Sequence, residues 1–539
     1  MVKFQQLESL AHHSDIYRHS RRVAVIDMGS NSFRLIVIDY VPRLSFKMTD
    51  EVRESVRIGE GMAEVDALRP QAIERAVRAA QIYAAFCRAV GIDDVVAVGT
   101  SAIRDARNRS RYIDRVRDEI GMDVRVLTGE EEAYYGYLAA VNSTTLENGF
   151  VVDLGGGSLQ ITRVENRTST HSVSLPLGVV RLTEGSLHSD PVTPGEIRHL
   201  TQHLREHFES LPWFKHEPGM VMVGEGGTLR LIGHLAQKRV SYPLDDLHGY
   251  PIALDQVASI RDELARLTVA SRARISGMKP DRADISLAGA IVVHEIMRAA
   301  GFGELEICSQ GLREGLFYER FLASPSDGTS RDAPPIFDDV RRASVLNLAH
   351  VYRFQEKHAE HIAHLTLSMF DQLPTEASKC GAGERELLWA ASMLHDIGVG
   401  IDYHDHHKHG SYLILNAGLP GYTHREIALI ALMVRYHRKG VPKPDEMGSL
   451  LLPDDDARLL QLTSLLRLAE QIDRSRDGVV RDVKLVASGS VAMLELIARG
   501  DEQVALWSVE HHRDIFEQAF GLTLAVVSVP EEEEADGAG

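Results

Sequence analysis

Two segments that share one layout constrain this chain more than any other feature. Val23–Val37 reads VAVIDMGSNSFRLIV and Val151–Val164 reads VVDLGGGSLQITRV. Each is a short β-rich run, an aspartate, a loop of Gly and Ser, and a second β-rich run. Strand and helix patterns alternate around them as far as Phe321, with a helix over 70–90, a strand over 95–99, another helix and a strand ending at Leu127. A repeated hairpin within an α/β alternation predicts two facing lobes, 23–145 and 146–322.

Loops of this kind have a specific use. Their glycines and serines can point backbone N–H groups at phosphate oxygens. That makes Gly29, Ser30, Asn31 and Ser32 in the first loop, and Gly155, Gly156, Gly157 and Ser158 in the second, the expected phosphate-binding residues. Asp27 and Asp153 are placed to hold a hydrated Mg²⁺ that screens the phosphate charge. One such loop reads equally well as a tight turn; the repetition favours phosphate. Thr100–Arg104 follow a strand and open a helix, so a phosphate there would meet the helix N-terminus and Arg104. In TGEE, Thr128 and Glu131 fit a capping box, which leaves Glu132 free.

A net charge of −18 argues against coating nucleic acid, so any polyanion must be gripped by local basic patches. Segments such as Arg341-Arg342 and Tyr436-His437-Arg438-Lys439 are expected in the outer wall of such a grip. No apolar run approaches a membrane span of about 20 residues. Residues 1–22 form a polar extension unlike a signal peptide. Cys87, Cys308 and Cys380 are too scattered for a disulfide framework or a zinc site, and a reducing cytoplasm is the expectation. After a linker at 323–336 the pattern becomes helical over 337–482, then strand, helix, strand over 483–529, and an acidic tail closes the chain at 530–539.

VIDMGSNSFRLIV, VGTSAIRDARN, LTGEEEAYYGY, VVDLGGGS and VGEGGTLRLIG, in that order, resemble the motifs of the exopolyphosphatase/guanosine pentaphosphate phosphatase family. LAGAIVVHEIM and SQGLREGLFYERF match it as well, so the resemblance spans about Val23 to Phe321. It implies an actin-like (ASKHA, ribonuclease H-like) two-lobed fold, a Mg²⁺ or Mn²⁺ cofactor and a homodimer. The implied reaction removes terminal phosphate from inorganic polyphosphate or from guanosine pentaphosphate, with no nucleic acid or membrane partner. Glu132 matches the glutamate that activates the attacking water, and we expect it to be the general base. The chain departs from the family at Gln160, where Glu is common. Metal binding should therefore lean on Asp27 and Asp153.

In the helical half, KHAEHIAHLTL and LHDIGV resemble the metal-binding HD phosphohydrolase superfamily. The resemblance implies His358, His395 and Asp396 as ligands of a second divalent metal, with Glu470 or, one turn on, Asp473 as the fourth. His406 and His437 resemble the extra ligands of its dinuclear subgroup. Two rival readings follow. An actin-like kinase or ATPase could use Gly224–Thr228 around adenosine, and an alarmone sensor would leave hydrolysis to the helical half.

Overall fold

The structure, a computed structural model, describes residues 20–322, 334–373 and 380–531. Most of the polar extension, most of the linker and nearly all of the acidic tail lie outside the described residues. The chain divides into two compact units, the first ending at Val340.

The first unit holds two sheets. One contains β1 (Arg21–Met28), β2 (Phe33–Val41), β3 (Ser45–Glu54), β4 (Val95–Gly99) and β5 (Val124–Val126), in the order β3-β2-β1-β4-β5. The other contains β6 (Gly149–Leu154), β7 (Leu159–Glu165), β8 (Thr168–Leu175), β9 (Val221–Glu225), β10 (Tyr250–Ala253) and β11 (Glu304–Ile307), in the order β10-β11-β9-β6-β7-β8. With edge strand β10 set aside, both sheets run third-second-first-fourth-fifth. In each, an antiparallel meander is followed by parallel crossover strands. This doubled ribonuclease H-like order is the actin-like fold.

The sequence builds it by ordinary means. Parallel strands need long crossovers, and helix Pro70–Ala89 supplies the one from β3 to β4, burying Ile73, Ala76, Val77, Ala80 and Tyr83. β1 is covered on both faces, which explains its unbroken apolar run. Ala24, Ile26 and Met28 pack in the core with that helix, whereas Val23 and Val25 join a second core with Tyr137, Leu138 and Phe317. Helix Leu312–Leu322 thus returns to the first sheet, with Phe317 and Phe321 meeting Tyr40 and Phe46 edge-on or tilted. Its aromatic face draws the last helix of the 146–322 segment into the first lobe. Phe337, next to the expected linker, continues this packing against Tyr318 and Phe321.

Among its described residues, the second unit is built of helices between Arg341 and Ile472, as the pattern suggested. A three-stranded sheet follows, formed by β12 (Val480–Ser488), β13 (Val491–Ala498) and β14 (Thr523–Pro530). Only two strands were expected there. Gly489, at φ 60°, turns the chain after Ser488 and splits the first run into a hairpin. Among the described residues, no helix is long and apolar enough to cross a membrane.

Candidate active site

The two Gly/Ser loops join β1 to β2 and β6 to β7, and they meet at one cleft. Asp27, Gly29, Ser30, Asn31, Ser32, Glu132, Asp153, Gly155, Gly156 and Ser158 all line it. Asp27 pairs across its hairpin with Arg34, and Asp153 with Gln160, so the aspartates occupy the same register in the two lobes. Gly157 does not line the cleft. A Cβ there would lie 2.3 Å from Ser101 Oγ and 2.6 Å from Ser30 Oγ, so its role is to let the loops close on each other.

The expected phosphate site at Thr100–Arg104 has a different construction. The helix Ser101–Asp105 is a single turn, and Ser30 Oγ accepts from the Ala102 N–H at 3.2 Å. Thr100 and Ser101 line the cleft, and Arg104 reaches its acid: its Nη1 donates to Glu132 Oε2 at 2.7 Å and to the Leu127 carbonyl at 3.2 Å.

The capping box forms as read. Glu131 N–H donates to Thr128 Oγ1 at 3.1 Å, and the Thr128 N–H donates to Glu131 Oε2 at 2.8 Å. Glu132 is left to turn inward, 7% exposed. Burial pushes its carboxyl up to about 7, against the pull of Arg104, and the charges of Asp153 and Asp27 push the same way. Burial likewise lifts Asp27 and Asp153 to about 6 each. Asp27 Oδ1 and both polar atoms of the Asn31 amide are buried without a hydrogen-bond partner. Crowded carboxylates with an orphaned oxygen fit a hard divalent cation held by oxygen ligands.

Facing these acids are four arginines that motif reading passed over: Arg34, Arg230, Arg282 and Arg313. Burial and mutual repulsion pull Arg34 down to about 9 and Arg282 to about 10. Arg313 donates to Glu51 at 3.0 Å and Arg230 to the Ser309 carbonyl at 2.6 Å. Such a cluster is costly without an anion, and it gives an acidic chain a local basic surface. The signal was present but faint. Arg34 lies two residues beyond Ser32, at the start of β2, and Arg313 sits within SQGLREG.

The second unit gathers the histidines. His358, His395 and Asp396 form one group, and Asp396, His406 and His437 another, with ligand atoms within 4.8 Å of one another in each. Glu470 Oε2 stands 3.3 Å from both His358 Nε2 and His395 Nε2. Asp473 lies behind, its Oδ2 accepting from His358 Nδ1 at 2.8 Å. Of the two residues left open by the sequence, Glu470 therefore faces the cluster and Asp473 backs His358. The Nδ1 atoms of His395, His406 and His437 donate to the carbonyls of Ser392, Tyr403 and Val434, at 2.7, 3.0 and 2.7 Å. That leaves each neutral ring a lone pair on Nε2. The Nε2 atoms of His406 and His437 face each other at 3.2 Å, and His406 Nε2 also lies 3.1 Å from Asp396 Oδ1. In keeping with a site that attracts positive charge, Glu470 and Asp396 are held well below the usual carboxylate range, although burial opposes this. Arg341, expected in a polyanion wall, is instead bound to Glu386 and Glu426.

A model of the Ppx/GppA phosphatase family matches residues 18–324, and one of Ppx/GppA phosphatase domain III matches residues 340–514. Among solved structures, the Ppx/GppA family member of Aquifex aeolicus is 29% identical, covering 55% of this chain and 96% of its own, with a TM-score of 0.48. An exopolyphosphatase from Cytophaga hutchinsonii is 23% identical over 56% of this chain and 98% of its own, with a TM-score of 0.52. An exopolyphosphatase-like protein is 27% identical over 57% of this chain and 100% of its own, with a TM-score of 0.51.

Proposed function

The chain belongs to the Ppx/GppA phosphatase family, and from that premise we propose that its first unit is an exophosphatase that releases terminal phosphate from inorganic polyphosphate, with guanosine pentaphosphate as a second substrate. The observation that carries this reading is Glu132: a buried carboxyl with its proton affinity raised, steadied on one oxygen by Arg104, in a cleft that also presents two Gly/Ser loops.

The chain's own groups divide the work. Loop N–H groups hold the terminal phosphate. Arg34, Arg230, Arg282 and Arg313 bind the phosphates behind it. Glu132 takes the proton of a water whose oxygen attacks the terminal phosphorus. The bridging P–O bond breaks, and its electron pair leaves with the shortened chain. Asp27 and Asp153 would hold Mg²⁺, or Mn²⁺, which neutralises charge on the phosphates in flight.

The test is phosphate release by the full chain with Mg²⁺ from long polyphosphate, tripolyphosphate, guanosine pentaphosphate and ATP. Release should be strong from polyphosphate, slight from ATP, lost in Glu132→Gln and kept in His395→Ala. Loss in His395→Ala alone would move hydrolysis to the helical half, and ATP-dependent phosphorylation of an acceptor would favour a kinase.

A second reading concerns the helical unit, which we infer binds a divalent transition metal through His358, His395, Asp396, His406, His437 and Glu470. The facing Nε2 lone pairs favour it, because imidazole suits such ions. Elemental analysis after gentle purification should find the metal, and His395→Ala should lose it. A protein that stays metal-free when offered Zn²⁺, Mn²⁺ and Fe²⁺ would end this reading.

A further inference from the structure

Asp153 is the middle of a row of three. Its antiparallel neighbour on β7 is Gln160, and its parallel neighbour on β9 is Glu225. Laterally paired residues project from the same face of a sheet, so an amide and a carboxyl flank Asp153.

The two flanks are satisfied in opposite ways. Gln160 Nε2 donates to Ser158 Oγ at 2.8 Å and to Ser174 Oγ at 3.0 Å, which ties the amide to its own loop and to β8. Glu225 is 0% exposed, and neither of its carboxyl oxygens has a hydrogen-bond partner. A buried carboxylate in that position is costly. Its surroundings do little to offset the cost, since Asp153 and Glu314 add negative charge, which Arg230 opposes.

The chain has cleared room around this group. A Cβ on Gly136 would lie 3.1 Å from Glu225 Oε2, and one on Gly311 3.7 Å from it. Gly136 is one helical turn beyond Glu132, and Gly311 lines the cleft. A glycine-lined space around an orphaned carboxyl, beside a second buried acid, is suited to a cation. Packing alone would favour an apolar side chain here.

We propose that Glu225 joins Asp27 and Asp153 as a third acidic group of the divalent-cation site, so that its carboxylates run on from β6 to β9 while β7 contributes an amide. This rests on the reading of the first unit as a cation-assisted phosphatase. It relocates the charge missing at Gln160 to the opposite neighbour of Asp153.

Mn²⁺ alone, titrated into the full chain without substrate and followed by the electron paramagnetic resonance of the free ion, tests this directly. Asp153→Asn identifies the binding step that belongs to the first unit. Glu225→Gln should weaken that step at least tenfold, and Gln160→Glu combined with Glu225→Gln should recover part of the loss. Thermal melts check that each variant is folded. If the amide does not fold, Glu225→Asp takes its place with the same expectation. Wild-type Mn²⁺ affinity in the Glu225 variant, with the step lost in Asp153→Asn, would overturn the proposal and leave the phosphatase reading standing. No loss in Asp153→Asn would remove both.

Discussion

Arg104 Nη1 donates to Glu132 Oε2 across 2.7 Å, joining the helix after β4 to the helix that begins at the capping box. One oxygen of the carboxyl is thereby fixed. The same contact keeps a buried acid from drifting further up in proton affinity.

Replacing Glu132 with Gln keeps the volume and removes the proposed base. Turnover on polyphosphate should fall by roughly 10²–10⁴, with KM changed little. Steady-state kinetics on a variant with a wild-type melting curve makes the comparison. Near-normal turnover would mean that Glu132 is not the base.

The pH dependence follows from the same residue. A base at about 7 must lose its proton to work, so kcat/KM should drop about tenfold per pH unit below that point. Arg104→Gln removes the positive partner and should shift this acidic limb upward by roughly one unit or more. Stability runs the other way. Because the folded carboxyl is raised from 4.5 to about 7, the folded chain binds the extra proton between those values and loses stability as pH rises through them. The difference in unfolding free energy between wild type and Glu132→Gln should therefore change by up to about 3 kcal/mol from pH 4 to pH 8. A flat difference across that range would contradict the burial of the charge.

The repeated hairpins and the capping box were legible because each is local: a strand, an aspartate and a turn lie within about 15 residues. Glu225 was not, since its meaning comes from lying beside Asp153 across a parallel crossover. The cleft arginines were hidden for a related reason. A lone Arg on a strand or a first helical turn looks like a solvated surface until four of them converge. Glu470 and Asp473 sit three residues apart at a helix end, and spacing could not rank them. The tertiary fold does so by turning one toward two imidazole Nε2 atoms and the other toward an Nδ1.

Gly157 is a packing test of the two-loop site. A methyl group would press on Ser30 Oγ and Ser101 Oγ, which lie 2.8 Å apart and hold the first loop to the helix after β4. Gly157→Ala should cost about 1–3 kcal/mol and lower kcat/KM at least tenfold. Gly185→Ala is the control: the added methyl meets nothing within 4 Å, and in a helix it should leave stability unchanged or slightly raised. Equal melting temperatures for the two variants would show that the loops do not need this close approach.

Asp473 offers the sharpest test of the helical centre, because it touches a proposed ligand, His358, from behind. Its carboxylate holds His358 Nδ1–H at 2.8 Å, which fixes the ring so that Nε2 faces Glu470 and His395. Partners of this kind orient the imidazole and raise its basicity, and their loss costs about 10–100-fold in metal affinity. Asp473→Asn keeps the shape and one hydrogen bond but removes the charge. Competition with a chelator should therefore show weaker retention of Zn²⁺ or Mn²⁺ than in wild type, yet tighter than in His395→Ala, where a ligand itself is gone. Retention equal to wild type would mean that Asp473 only supports the helix end. Retention as poor as in His395→Ala would make it a ligand, and the geometry around Glu470 would have to rearrange when metal binds.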